Sequence, residues 1–67
     1  MIVLNGESSP FREGETLKAV LASLGLTPAS PGVAIAVDRE VVPRAEWETF
    51  TLADGARVEV LTAMQGG

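Results

Sequence analysis

Only one stretch of this chain has helical periodicity; its other apolar segments read as strands. Leu17, Val20, Leu21 and Leu24 fall at i, i+3, i+4 and i+7, one apolar stripe with Lys18, Ala22 and Ser23 off it. Thr16 precedes the stripe as an N-cap, and Glu13 and Glu15 lie near the positive helix end, where solvated carboxylates are favoured. Gly25 suits the left-handed position after the last turn, with Leu26 folding back on Leu21. A lone helix has no second helix to pack on, so its stripe must cover one face of a sheet.

The strands follow from shorter signals. Ile2-Val3-Leu4 is apolar and partly β-branched, and Asn5-Gly6 after it is a strong hairpin turn. A return strand is expected from about Ser8 to Arg12, at an edge because Pro10 has no N–H, with Phe11 as its core anchor. Thr27 to Gly32 is a loop by composition. In Val33 to Val37 the larger residues Val33, Ile35 and Val37 share one face, and Ala34 and Ala36 the other. Asp38-Arg39 is a turn, Glu40-Val41-Val42 a short return strand stopped by Pro43, and Arg44 to Trp47 a single helical turn. Phe50 and Leu52 alternate with Thr49 and Thr51; Asp54-Gly55 is a further turn; Arg57 to about Ala63 is the last strand, with Val58 and Val60 on one face. The order is ββαβββ. The first and last strands are the apolar ones, so they are expected side by side at the centre. The predicted fold is α+β: a mixed sheet of about five strands packed on one helix, the ubiquitin-like β-grasp arrangement. Residues 1–63 form the domain and residues 64–67 a flexible tail.

Composition narrows the chemistry. At 67 residues the chain is one domain with no room for an active site enclosed between two. Without Cys or His it has no disulfide framework, no zinc site of the usual type, and no thiol or Ser-His-Asp catalysis. A net charge of −4 makes it a poor ligand for nucleic acid and favours basic protein partners. No apolar run approaches the roughly 20 residues of a membrane span. Met1 enters Ile2-Val3-Leu4 with no basic segment before it, unlike a signal peptide, so a cytoplasmic location is expected.

The sequence ends Met64-Gln65-Gly66-Gly67. Glycine loses the most entropy on ordering and buries nothing, so Gly-Gly does not serve stability. A Gly carboxylate is instead an unhindered handle, and Gly-Gly can thread a channel too narrow for side chains. With the opening strand and Asn5-Gly6-Glu7, the helix Thr16-Leu17 to Leu24, Val33-Ala34-Ile35-Ala36-Val37, Val41-Val42-Pro43-Arg44, Trp47, and Asp54-Gly55-Ala56-Arg57-Val58-Glu59-Val60, the chain resembles the ThiS-type sulfur carrier proteins of thiamin biosynthesis. It departs from their usual pattern at Asp38, Ala56 and Gln65.

The resemblance implies a carrier, not an enzyme. An ATP-using, ThiF-like adenylating enzyme would convert the Gly67 carboxylate to an acyl-adenylate. Sulfur from a cysteine desulfurase or sulfurtransferase would replace AMP, and a ThiG-like thiazole synthase would take the resulting thiocarboxylate sulfur. The chain itself would bind no cofactor. Gly66, Gln65 and Met64 would thread into the partner. Leu61, opposite in direction to Val58 and Val60, would belong to the docking face. The alternatives are a β-grasp carrier for molybdopterin or cysteine synthesis, a ubiquitin-like protein modifier, or an interaction module with an incidental Gly-Gly. Trp47 is expected as a lid on the small core rather than a ligand platform, and Arg39, Arg44 and Arg57 as dispersed surface charge.

Overall fold

The computed structural model describes residues 1–63; the expected tail, 64–67, lies outside them. Five strands form one sheet in the order β2-β1-β5-β3-β4. They are β1 (Ile2–Leu4), β2 (Glu7–Ser9), β3 (Val33–Val37), β4 (Glu40–Val41) and β5 (Arg57–Thr62), with the α-helix α1 (Leu17–Ser23) between β2 and β3 and the expected helical turn, a 3-10 turn at Arg44–Glu46, between β4 and β5. β1 and β5 are parallel neighbours in the middle, with Val3 opposite Arg57 and Leu4 opposite Val58. Every other pairing is antiparallel. This is the β-grasp topology, with the first and last strands central as their composition predicts.

Both tight hairpins rest on left-handed residues. Asn5 and Gly6 have φ of 50° and 83°, and Asp38 and Arg39 have 50° and 71°, the geometry of turns whose twist matches the flanking strands. Each turn also holds β5 through a side chain. Asn5 Oδ1 accepts the Val60 N–H at 2.8 Å, extending the β1–β5 ladder past the point where the β1 backbone turns away. Asp38 Oδ1 accepts the Arg57 N–H at 3.0 Å.

The core places Leu17, Val20 and Leu21 of α1 against Ile2, Val33, Ile35, Val37, Val58 and Val60 on one sheet face. Thr16 caps the helix, its hydroxyl accepting from the Ala19 N–H. Leu24 departs from expectation. The helix ends at Ser23, and Leu24 is the C-cap and 43% exposed. The chain swings into left-handed Gly25 (φ 77°) and closes a Schellman pair, Leu26 N–H to Leu21 C=O at 2.8 Å and Gly25 N–H to Ala22 C=O at 3.1 Å. Leu26, not Leu24, then packs on the core.

The second strand is also shorter than expected. It stops at Ser9, because Pro10 has no N–H for the ladder, and Phe11 packs on the core from the loop beyond. The Thr49–Leu52 segment forms a single bridge, Thr51 to Thr16, while Leu17 N–H donates to Phe50 C=O and Leu52 N–H to Glu15 C=O. These bonds fasten the helix start.

The first and last parts of the domain meet at Asp54, whose carboxylate lies 2.6 Å from the Met1 ammonium. That hydrogen bond, and the positive charge behind it, hold the Asp54 carboxyl below its ordinary value. A depressed carboxylate stabilises above its unfolded pKa and loses that contribution as pH falls through the folded one. Asp54→Asn is therefore expected to lower the urea midpoint at neutral pH and to converge with wild type as acid protonates the folded-state carboxylate. A difference that persists unchanged in acid would refute this.

Candidate functional site

The helix covers one face of the sheet and leaves the other open. Because β-strand side chains alternate, burying Val58 and Val60 turns Arg57, Glu59 and Leu61 outward. Leu61, 64% exposed, lies opposite Ala34 of β3. Ala36 lies opposite Val41 of β4, which is 77% exposed. An apolar strip thus runs diagonally across the open face, from Leu61 near the end of β5 through Ala34 and Ala36 to Val41, with Glu59 directly opposite Ala36 and Arg57 further back along β5. Leu61 points as expected. Val41 was missed, although the step from Val41 to Val42 in a strand sends one of the pair outward.

The strip adjoins the point where the described chain ends. Thr62 makes the last ladder pair with Val33, and the Ala63 N–H then donates to the Gly32 carbonyl at 2.6 Å. The other expected site residues, Met64, Gln65, Gly66 and Gly67, lie outside the described residues.

The remaining candidates resolve into structure. Trp47 is part of the core itself, 1% exposed, with Nε1–H donating to the Val42 carbonyl at 2.8 Å. Arg44 is not dispersed surface charge. Its guanidinium lies 4.7 Å from the Trp47 ring centroid and donates to the carbonyls of Ser30 (2.9 Å), Val33 (3.3 Å) and Pro28. Sequence reasoning missed this role because the partners are backbone atoms in a loop many residues away. Arg39 and Arg57 do share an open groove with Val3, Asn5 and Gly6, but Glu59 lines it too and offsets their charge. Glu13 is solvated as expected; Glu15 is half-buried, with Oε1 out of solvent and unpaired. Among the described residues, no cluster of three acidic side chains is placed to hold a metal, and no helix is long and apolar enough to cross a membrane.

The arrangement is an exposed apolar strip beside the end of the described chain. Comparison with known proteins places the chain in a family. The ThiS family model matches residues 2–67. The sulfur carrier protein ThiS of Thermus thermophilus is 43% identical over 67 residues, covering 100% of both chains. The crystal structure of a thiamine biosynthesis protein (ThiS) from Geobacter metallireducens superimposes with a TM-score of 0.74 at 28% identity, over 98% of this chain and 97% of that one. A thiazole synthase of Paramagnetospirillum magneticum is 32% identical over 66 residues, 98% of this chain but 20% of its own length, so a domain of this kind is carried within a longer protein. From the sheet order to the last residue matched, the chain belongs to the ThiS family.

Proposed function

We propose that this protein is a sulfur carrier of thiamin biosynthesis, with the Gly67 carboxylate as the attachment point. The observation that carries the reading is the end-to-end match to the Thermus thermophilus carrier. The open apolar strip beside the chain's exit from the sheet supports it.

The chemistry starts from a poor electrophile. A carboxylate resists attack at carbon until one oxygen becomes a leaving group. A Gly67 oxygen attacks the α-phosphorus of ATP on a ThiF-like adenylating enzyme, pyrophosphate departs, and an acyl-adenylate remains. A persulfide sulfur, supplied by a cysteine desulfurase or sulfurtransferase, then attacks the acyl carbon and displaces AMP. The product is an acyl disulfide; a second thiol attacks its donor-side sulfur, breaking the S–S bond and leaving a thiocarboxylate on Gly67 and a disulfide on the donor. A ThiG-like thiazole synthase accepts the sulfur; the longer thiazole synthase that contains a similar domain supports that partnership. Such ATP-dependent chemistry belongs in the cytoplasm. This chain is a cosubstrate in every step, as suits a sequence without Cys or His.

Geometry limits the partner. Residues 64–67 span at most roughly 14 Å when extended, so the adenylating centre must come within that distance of Ala63. Leu61 and its apolar neighbours are close enough to be covered by the same partner, and Met64, Gln65 and Gly66 are the residues that thread to its centre.

Intact-protein mass spectrometry tests the proposal. The chain is incubated with ATP, a cognate adenylating enzyme and a sulfur donor, beside a variant lacking Gly67. The expected result is a mass increase equal to exchange of one oxygen for sulfur, absent from the truncated control. No change, with an enzyme active on its own carrier, would overturn the reading. Lys-linked conjugates in its place would show a protein modifier.

A further inference from the structure

We propose that Asn5 is a site of spontaneous modification, an amide that converts to an acid through a cyclic imide with Gly6, and that the closed sheet holds it unreactive through β5.

Asn5 is the sole asparagine of the chain, lies exposed at the β1–β2 turn and is followed by Gly6. Glycine leaves its nitrogen unhindered and its backbone free to rotate, so an asparagine before it closes a ring more readily than before other residues. The Gly6 nitrogen gives up its proton to a base and attacks the Asn5 Cγ. A C–N bond forms, the bond from Cγ to Nδ2 breaks, and Nδ2 leaves as ammonia. Water then opens the ring. Breaking the new bond leaves aspartate; breaking the original peptide bond leaves isoaspartate, with the main chain running through Cβ and Cγ. Water is taken up and ammonia released, with no oxidation or reduction.

The folded chain opposes ring closure by conformation and by hydrogen bonds. Asn5 has φ of 50°. In the left-handed conformation its Cβ stands nearly trans to the Gly6 nitrogen across the Cα–C bond, so Cγ faces away from its attacker. Main chain and side chain are both tied to β5. The Asn5 N–H donates to the Val58 carbonyl at 2.9 Å. Oδ1 accepts the Val60 N–H at 2.8 Å. With Oδ1 held there, Cγ cannot come round to Gly6 unless the hairpin pairing of Leu4 with Glu7 is undone. β5 lies between β1 and β3, so releasing Asn5 opens the sheet at its middle.

The products differ in what they preserve. Aspartate keeps a side-chain oxygen for the Val60 N–H. Isoaspartate adds a carbon to the main chain inside a tight turn, which the Leu4–Glu7 pairing does not accommodate. Each adds a negative charge to the open groove that Asn5 lines with Arg39, Arg57 and Glu59. Two guanidinium groups there then face two carboxylates, and the groove loses its positive excess.

The full chain is incubated in mildly alkaline buffer at rising urea concentrations, from folded to unfolded, and followed by intact mass and ion exchange. Hydrogen exchange of the Val60 amide is measured alongside. Trp47→Ala, which removes the bulkiest buried side chain, supplies an unfolded chain without denaturant. Fragmentation separates conversion at Asn5 from conversion at Gln65, the other side-chain amide. The unfolded chain is expected to convert at Asn5. Folding should slow that conversion roughly a hundredfold or more, because a chain of modest stability must first open its central strand. The rate should climb with urea in step with Val60 exchange. Among synthetic products, Asn5→Asp should keep a urea midpoint near wild type, and isoaspartate at position 5 should lower it. Equal conversion rates in folded and unfolded chains would overturn the proposal. So would an unfolded chain that keeps Asn5 intact while an Asn-Gly reference peptide converts.

Discussion

Trp47→Ala is expected to leave the chain largely unfolded at room temperature. Truncating a buried Trp costs about 3–5 kcal/mol, and a core in a chain this small supplies only about 3–5 kcal/mol of net stability. Trp47 is 1% exposed and the bulkiest of the buried side chains. The substitution also orphans the Val42 carbonyl and removes the ring beneath Arg44. Trp47→Phe separates these effects: it keeps most of the apolar bulk but drops the Nε1–H, so a loss of about 1–3 kcal/mol from the unpaired carbonyl is expected. Far-UV circular dichroism with urea titration reads both variants without relying on the only indole. A Trp47→Ala protein with a cooperative transition near the wild-type midpoint would show that the core tolerates the cavity.

Leu61→Asp is expected to act on docking and leave the fold alone. The side chain is 64% exposed, and a surface substitution of this kind changes stability by about 0.5 kcal/mol or less. Burying a leucine against a partner contributes about 1.5–3 kcal/mol, so its loss, compounded by a desolvated carboxylate, should reduce kcat/KM for adenylation by roughly ten- to a hundredfold. The defect should appear in KM. Val41→Asp, on the same face, measures how far the docking strip extends. Unchanged adenylation kinetics for Leu61→Asp would remove the open strip from the recognition surface.

Local chemistry made much of this fold legible. Asn5-Gly6, Asp38 and Gly25 take positive φ where their side chains, or the lack of one, permit it, and Arg39 is carried into the same region by the hairpin turn it shares with Asp38. The alternation in Val33–Val37 and the stripe at Leu17, Val20 and Leu21 assigned their buried faces correctly. The errors arose where tertiary geometry overrules periodicity. Leu24 continues the helical spacing, but the chain has already turned toward Gly25. Phe11 packs on the core without strand pairing, since Pro10 ends the ladder before it. The candidate site divides similarly. Leu61 followed from alternation alone. The Gly32–Ala63 bond and the grip of Arg44 on three carbonyls join segments distant in sequence, and no local pattern encodes them.

The placement of β5 has a consequence during synthesis. The strand made last is the central one, so until it emerges from the ribosome β1–β2 and β3–β4 are separate ribbons with no shared neighbour. Two-stranded ribbons are marginal in water, and joining Val3 to Arg57 closes nearly the whole chain. A product broken off before β5 therefore cannot complete the sheet. It stays unfolded and exposed to proteases, so possession of the fold certifies that translation passed β5.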